Sequence, residues 1–286
     1  MAKVFASVGG AFGYATKNTF KNPIVWILVA LAMVIESLAA AVGVLYLAVA
    51  IIGAELAEAI TGILTILGLG PLLAIFPAYN GGAMIAIGVI GLIVSLILGL
   101  FILGLQIKIY AGKDVTFSGF FGTVGRGFQN FIICLIYEIV VVILTVAISL
   151  GMGQITAFAS GSLTGTLIAL GAWAILLIVL AFVFGIFMIP ALINFARQGK
   201  FSAAFQFKKI GAMIGAAKWY KIFAGIIVIA IVICVLYFVA FLIGGLLGMI
   251  PGIVGAILTT VWLVLIYTYL FFVGSSYWAN FFKEIE

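Results

Sequence analysis

Histidine is absent from this chain of 286 residues, and charged side chains make up only 7% of it. Without histidine, the Ser-His-Asp and Cys-His constellations and histidine-containing zinc sites are excluded. No phosphate loop, dinucleotide fingerprint, metal-ligand cluster or nucleophile elbow occurs, so we expect no enzymatic activity, cofactor or metal. The two cysteines, Cys134 and Cys234, lie in apolar runs and are interpreted as small buried hydrophobic residues rather than a disulfide.

Apolar side chains dominate the chain instead, at 67% of all residues. A soluble domain typically has about 45–50% apolar and about 25% charged residues, so a water-soluble chain of this composition could not cover its own surface. Lipid must therefore be the solvent for most of the chain. No polar stretch is long enough for a separate soluble domain, and residues 1–286 are predicted to form one membrane domain.

Six apolar runs are long enough to cross a bilayer as helices, which takes about 20 residues each. They cover 24–50, 82–110, 130–150, 167–196, 221–247 and 253–281. Pro23 fits the first turn of the first helix, where a missing N–H costs nothing. Glycine and proline interrupt the apolar segment 54–81, which is expected to be a short helix plus a re-entrant or surface loop. The predicted fold class is all-α, a polytopic membrane protein with six transmembrane helices.

The positive charges predict how these spans are oriented. All 13 lysine and arginine residues fall before span one, between spans two and three, between spans four and five, or after span six, if Lys108 and Lys221 at the ends of their spans are counted with the adjoining loops. The opposite loops, 51–81, 151–166 and 248–252, contain none, and the first of them holds Glu55 and Glu58. The positive-inside rule then places both termini and the basic loops in the cytoplasm of a multi-pass cell-membrane protein.

A segment that begins near a lysine and is rich in phenylalanine precedes each odd-numbered span. Helical spacing places its apolar residues on one face, which predicts an amphipathic helix at the membrane surface. These faces are Phe5, Val8, Phe12, Ala15 and Thr19; then Phe117, Phe120, Phe121, Val124 and Phe128; then Phe207, Ile210, Ile214 and Ala217. Phe201 and Phe205 fall off the third face, so its helix is expected to start after them. Together with the spans, the segments predict three parallel two-helix repeats over about 1–110, 111–197 and 198–286.

Basic residues beside these faces are expected to contact anionic lipid headgroups, at about 1 kcal/mol per charge. The candidates are Lys17, Lys21, Lys113, Arg126, Lys208 and Lys209. Nucleic acid is not expected to bind, because the aromatic residues share their stripe with valine and isoleucine. Gly244, Gly248 and Gly252 form a row that indicates either close helix packing or a hinge beside Pro251. Such rows are compatible with a homo-oligomer or with a membrane protein partner.

Two regions of the chain carry a family resemblance. In Ala191–Ile210, which reads ALINFARQGKFSAAFQFKKI, an apolar helix ends in a short turn, and a polar loop and an AAF-F stretch follow. Gly104–Glu138 adds a basic loop with a downstream F-G element. The matching residues are Ala203, Ala204, Phe205, Phe207, Phe121, Gly122 and Tyr137. These features resemble an archaeal family of multi-spanning membrane proteins catalogued as a domain of unknown function, number four-zero-one-three.

The resemblance extends over about two thirds of the chain. It implies a multi-spanning helical fold and an archaeal plasma membrane. It implies no activity, because the family has none assigned. The acidic residues that usually follow the family's basic loop are reduced here to Asp114.

Polar residues within the spans are the candidate functional groups. Glu36 lies about 13 residues into span one and Glu138 lies roughly 12 Å into span three. A charged group there costs about 2.5–3.5 kcal/mol, so each is either part of a proton, cation or headgroup site or a protonated residue bonded to a neighbouring helix. Asn194, one turn after Pro190, either lines a kinked opening or caps a helix end. Gln106 is interpreted as interfacial.

These observations favour a non-enzymatic integral membrane protein that organises lipid or docks partner subunits through basic interfacial helices. The alternative is a channel or carrier for protons, cations or small molecules that uses Glu36 and Glu138. A lipid-modifying enzyme is the least favoured reading, because membrane enzymes usually show polar clusters at the interface and this chain has almost none.

Overall fold

The computed structural model describes residues 2–53, 81–117, 119–159 and 163–283. The helices are α1 (Ala2–Thr16), α2 (Pro23–Ile52), α3 (Gly81–Tyr110), α4 (Phe120–Ala159), α5 (Leu163–Gln198), α6 (Phe207–Ala217), α7 (Trp219–Gly248) and α8 (Ile253–Lys283). A π-helical turn (Lys17–Lys21) follows α1, and a 3-10 turn (Phe201–Phe205) precedes α6. No strand occurs in these parts of the chain, which confirms the all-α fold class.

Five of the described helices, α2, α3, α4, α7 and α8, are long and apolar enough to cross a membrane. The protein is therefore a multi-pass membrane protein. Helix α5 covers the predicted fourth span but is not among these five, so the total of six spans stays a prediction. Pro23 stands in the first turn of α2, as expected. The predicted re-entrant segment, with Glu55 and Glu58, lies outside the described residues except for Gly81.

The expected separate helix before the third span is absent, because α4 runs without a break from Phe120. Its first turn packs on α3: the rings of Phe120 and Phe101 stack with centroids 4.9 Å apart. Phe121, which the predicted apolar face included, is 88% exposed. The second face is therefore divided between a contact with α3 and the surface of the bundle, and the segment continues the spanning helix.

Helix α1 packs against the end of α8, and this contact uses only part of the predicted face. Ala15 and Thr19 of that face are buried, and the ring of Phe12 lies 6.4 Å from that of Tyr269 on α8. The buried residues also include Ser7 and Ala11, whereas Phe5 is 61% exposed. Ser276 Oγ on α8 lies 3.3 Å from the carbonyl oxygen of Ala11 and 2.6 Å from that of Phe272 on its own helix. Small residues allow the two helix backbones to approach, which explains why the contact extends beyond the predicted face while Phe5 lies outside it.

The third segment forms the short helix expected of it. Helix α6 starts at Phe207, after the 3-10 turn that contains Phe201 and Phe205, which confirms the expected start. It ends at Ala217, and the next residue, Lys218, has a φ of 62° that separates the helix from α7. A positive φ is uncommon for lysine, so α6 and α7 are two distinct helices.

Glycine residues allow α2 and α3 to cross at close range. A Cβ atom at Gly91 would lie 2.8 Å from the carbonyl oxygen of Ala39, and one at Gly43 would lie 2.9 Å from the backbone nitrogen of Leu92. Neither position has room for a side chain. The crossing thus depends on small residues, as is usual for helices packed in lipid.

The predicted packing row near the end of α7 is only partly a packing surface. Gly244 and Gly248 face Thr259 on α8, and Thr259 Oγ1 donates a hydrogen bond to the Gly244 carbonyl over 3.0 Å. Gly252 lies in the turn between α7 and α8 with a φ of 79°, where glycine carries no penalty. Its role in a packing row is therefore corrected to that of a turn residue. Cys234 is also exposed rather than buried.

Candidate functional site at the cationic end

Hydrogen bonds and an ion pair join the end of α1 and the segment after it to the connection between α3 and α4. Lys17 Nζ lies 2.8 Å and 3.0 Å from the two carboxylate oxygens of Asp114. Tyr14 Oη donates a hydrogen bond of 2.8 Å to the carbonyl of Lys113, and Asn18 Oδ1 accepts one from a backbone N–H of the same connection. Together with the connection before α6 and with the end of α8, these segments form one end of the bundle, called here the cationic end.

The ion pair between Lys17 and Asp114 contributes little to stability. Both side chains of the Lys17–Asp114 pair are about half exposed, at 49% and 53%, so the pair contributes at most about 1 kcal/mol. Burial, followed by the nearby Asp114 carboxylate, raises the pKa of Tyr14 above its usual range. The phenol therefore stays protonated and donates its hydrogen bond at neutral pH. Lys17 is a structural partner as well as a headgroup candidate.

A second junction connects the end of α5 to the 3-10 turn before α6. Asn194 Nδ2 donates a hydrogen bond of 2.7 Å to the carbonyl of Ala203, and Gln198 Nε2 donates one of 2.7 Å to Asn194 Oδ1. Tyr137 Oη on α4 donates one of 2.8 Å to the carbonyl of Ala204. The side chain of Asn194 therefore bonds the polypeptide after its helix. Asn194 lies within α5, as does Pro190, so it makes this bond from inside the helix.

Helix α6 presents lysines outward and apolar residues inward. Lys208 and Lys209 are exposed, whereas Ile210 and Ala217 are buried against the bundle. Phe207 stays 64% exposed beside the lysines. The predicted third face is thus buried in part, and its phenylalanine is free to meet lipid or a partner.

The remaining headgroup candidates differ in exposure. Lys21 and Lys113 are exposed, and Arg126 is half-buried. A Cβ atom at Gly199 would lie 3.8 Å and 3.9 Å from the two terminal guanidinium nitrogens of Arg126. Arg126 on α4 therefore lies against the connection between α5 and α6, at the same end of the bundle.

The two intramembrane carboxylates are not brought together. Glu36 Oε1 accepts a hydrogen bond of 3.2 Å from Ser95 Oγ on α3, and its Oε2 accepts one of 3.3 Å from the adjacent Ser37. Glu138 lies on the exposed side of α4, and none of the described side chains donates a hydrogen bond to it. One carboxyl group is thus held at a helix crossing, while the other faces the surroundings of the bundle.

Gln106 belongs to a small polar group between α3 and α4. Its Nε2 donates to Tyr110 Oη over 3.1 Å, and Asn130 Nδ2 donates to the carbonyl of Leu103 over 3.2 Å. Asn130 Nδ2 also lies 3.5 Å from Gln106 Oε1. Gln106 is therefore part of the packing between two helices near the cationic end.

A family match covers the region that contains most of these contacts. The family described as "Protein of unknown function (DUF4013)" matches residues 87–249, more than half of the chain. The chain belongs to this family. No curated protein and no solved structure matches it. The match runs from within α3 to the turn after α7 and includes both regions on which the resemblance was based.

Sequence reasoning missed two polar residues within the DUF4013 region. Asn130 is fully buried between α3 and α4, and Tyr137 was quoted only for the resemblance, although its hydroxyl reaches the 3-10 turn. An amide at the start of an apolar span was the available signal for Asn130, because such a group must find a partner in lipid. Nothing in the sequence indicated the partner of Tyr137, since Ala204 is 67 residues away.

Glu138→Leu is expected to stabilise the protein. An acidic group exposed on a spanning helix costs about 2.5–3.5 kcal/mol on insertion scales, and leucine removes that cost. The thermal unfolding midpoint in an uncharged detergent and the efficiency of membrane insertion should both rise, with Glu138→Gln between the two. Val142→Leu, on the same exposed side of α4, serves as a control that should change neither. A lower midpoint for Glu138→Leu would mean that the carboxyl group has a stabilising partner.

Proposed function

We propose that this protein is a non-enzymatic component of the cell membrane that organises anionic lipids in the cytoplasmic leaflet through its cationic end. In this proposal six helices cross the bilayer in three like-oriented repeats, with both termini in the cytoplasm. The distribution of the 13 lysine and arginine residues along the sequence supports that orientation.

The observation that carries the proposal is the two-sided character of α6. Exposed Lys208 and Lys209 stand next to the exposed ring of Phe207, while Ile210 and Ala217 hold the helix on the bundle. A short helix of this kind suits the boundary between headgroups and acyl chains, where lysine meets phosphate and phenylalanine meets hydrocarbon. It also directly precedes the apolar helix α7, which supports a position at a membrane surface.

The carrier hypothesis receives less support from the geometry. A shared proton or cation site requires its carboxylates to face one another, so that each changes the other's proton affinity. Glu36 instead bonds to Ser95 at the α2–α3 crossing, and Glu138 faces outward from α4. The lipid-binding proposal uses residues that the structure does place on one exposed surface.

Neutralising both lysines of α6 is expected to remove the local preference for anionic lipid. Two charges at about 1 kcal/mol each correspond to roughly thirtyfold in relative affinity at this site. The readout is Phe207→Trp in protein reconstituted into bilayers, with the signal taken as the difference from the parent protein, because the chain already has five tryptophans. Its quenching by brominated phosphatidylglycerol, relative to brominated phosphatidylcholine, measures the preference before and after Lys208→Gln/Lys209→Gln.

The control keeps the charge and changes the side chains. Lys208→Arg/Lys209→Arg should retain the preference for phosphatidylglycerol, because arginine also binds phosphate. If the glutamine pair retains it equally well, α6 does not select anionic lipid and the proposal fails. The alternative to test next would then be that a partner protein docks on the same surface.

A further inference from the structure

A cavity of about 330 Å³ extends along α7 and α8 from near the cationic end toward the middle of both helices. Gln106 and Tyr110 line it on the α3 side, and Trp278 lines it near the end of α8. Tyr237 and Tyr267 line it near the middle of α7 and α8; they are 42% and 53% exposed, so the cavity opens to the surroundings of the bundle. Both helices are long and apolar enough to cross a membrane, which makes those surroundings lipid. The volume lies in the range of about 300–1,000 Å³ that is typical of small-ligand sites.

Two buried polar side chains line this cavity without a hydrogen-bond partner among the described residues. Ser275 is 4% exposed and Trp278 is 7% exposed. The six-membered ring of the Trp278 indole packs toward Gly225, where a Cβ atom would lie 3.3 Å from Cη2, so that contact leaves the N–H at the other edge of the indole unused. Buried polar groups in proteins are nearly always hydrogen-bonded, because an unpaired group loses its bonds to water and gains none. A ligand in the cavity would supply the missing partners.

Two phenol hydroxyls lie at the same cavity, closer to the middle of the spans. The rings of Tyr237 on α7 and Tyr267 on α8 have centroids 6.4 Å apart, and neither hydroxyl bonds to any of the described residues. Polar groups are costly in hydrocarbon unless they are paired, and water does not reach the middle of a bilayer. A lipid-soluble molecule that carries oxygen atoms would pair these hydroxyls.

The lining indicates the chemistry of the ligand. None of the described residues that line the cavity is charged, so an ionic headgroup would find no opposite charge there. The unpartnered groups are three hydroxyls and an indole N–H; the indole can only donate a hydrogen bond and each hydroxyl can donate one, which favours a ligand with acceptor oxygens. Four aromatic side chains suit a flat ring, since aromatic rings stack in offset or edge-to-face arrangements. They are Tyr237, Tyr267, Phe271 and Trp278.

We propose that this cavity binds a lipid-soluble quinone, an uncharged ring that carries carbonyl oxygens and an apolar tail. The carbonyl oxygens accept hydrogen bonds from Ser275, from Trp278 and from the two tyrosine hydroxyls, and the tail leaves through the side that opens to lipid. The proposal concerns binding alone. It goes beyond the proposed function and does not rest on it, because the cavity includes none of the residues of α6.

The test uses the full chain in an uncharged detergent, with decylubiquinone, a quinone with a short apolar tail, as the probe. A ligand that binds only the folded protein raises its unfolding midpoint in a saturable way. Decylubiquinone should therefore stabilise the chain. Decylbenzene keeps a ring and the tail but has no carbonyl oxygen, so it should produce no saturable rise. Equal effects of the two compounds would mean that only apolar contact is measured, and would overturn the assignment.

Two variants change the cavity in different ways. Ser275→Ala/Tyr267→Phe should bind decylubiquinone about tenfold more weakly, because two hydrogen bonds to the ligand are lost. Its unfolding midpoint without quinone should not fall, since neither hydroxyl bonds to the described part of the chain. Gly274→Leu should abolish the quinone response by filling the cavity that Gly274 lines. A Cβ atom there would lie 3.5 Å from Ile233 Cδ1, which is an ordinary contact. If Gly274→Leu folds poorly, the hydroxyl pair still decides the question.

Gly245→Leu is the matched control, because Gly245 on α7 is not among the residues that line the cavity and nothing lies within 4 Å of a Cβ atom there. It should keep the full quinone response, as should Lys208→Gln/Lys209→Gln, whatever the latter does to lipid preference at α6. Native mass spectrometry identifies the occupant: one retained quinone per chain, lost in Gly274→Leu, supports the proposal. A retained phospholipid that is lost in the same variant would mean that a bilayer lipid fills the cavity, and would overturn it. A quinone response that neither Gly274→Leu nor the hydroxyl pair weakens would overturn it as well.

Discussion

Alanine in place of Gly127 is expected to lower the free energy of unfolding by about 1–3 kcal/mol or more, because the added methyl group has nowhere to go. A Cβ atom there would overlap the carbonyl oxygen of Leu100 on α3 and would lie 2.9 Å from the backbone nitrogen of Gly104. Backbone atoms cannot rotate away as a flexible side chain can. The two helices would have to separate, and the loss should appear as a lower thermal unfolding midpoint in an uncharged detergent.

Gly125 provides a matched control on the same helix. Nothing lies within 4 Å of a Cβ atom at Gly125, so Gly125→Ala should be neutral or should stabilise α4 by up to about 1 kcal/mol. Gly104→Ala should resemble Gly127→Ala, since its Cβ atom would overlap the Thr123 carbonyl oxygen. The double variant should cost less than the sum, because one separation relieves both overlaps. Equal midpoints for Gly127→Ala and Gly125→Ala would show that α3 and α4 are not this close.

The spans were predictable because the physics that defines them is local. An uninterrupted apolar run must hydrogen-bond its own backbone in lipid, and a helix is the only way for a single segment to do so. The predicted first span, 24–50, thus corresponds to the helix Pro23–Ile52, and the predicted fifth span, 221–247, corresponds to the helix Trp219–Gly248. These limits follow from nearby proline, lysine and glycine residues, all visible in the sequence.

The packing faces were less predictable, because lipid and protein interior are equally apolar. On α1, hydrophobic periodicity predicted a face that contains Phe5, yet Phe5 is exposed, and the buried residues Ser7 and Ala11 lie outside that face. In water, apolar spacing points to the core; in lipid, it cannot separate a bilayer-facing side from a buried one. The glycines at 104 and 127 were missed for the same reason, since their partners depend on how two helices cross.

The residues of the candidate site also differ in how far the sequence could predict them. Exposure of Lys208 and Lys209 follows from one short amphipathic segment, and the sequence predicted it. The junctions of the cationic end instead join residues far apart in the chain, such as Tyr14 to Lys113 and Tyr137 to Ala204, so no local pattern could indicate them.

Asn194→Ala is expected to lower the free energy of unfolding by about 0.5–1.5 kcal/mol, because it removes the shorter of two hydrogen bonds to the Ala203 carbonyl and leaves only the 3.3 Å bond from the Gln206 N–H. Asn194 is 2% exposed and Ala203 is fully buried, so water cannot replace the 2.7 Å bond between them. Gln198→Ala keeps that bond and removes a less buried partner, and it should cost less. Thermal unfolding in an uncharged detergent gives the comparison.

The same substitution should also weaken lipid selection without changing any charge. The Asn194 bond fixes the 3-10 turn from which α6 begins, so its loss frees Lys208 and Lys209 from their position on the bundle. Preference for phosphatidylglycerol, measured through Phe207→Trp, should therefore fall in Asn194→Ala and in Tyr137→Phe, which removes the neighbouring bond to Ala204. If either variant unfolds at a lower temperature yet selects phosphatidylglycerol as well as the parent does, then the charge of α6 and not its fixed position determines the selection.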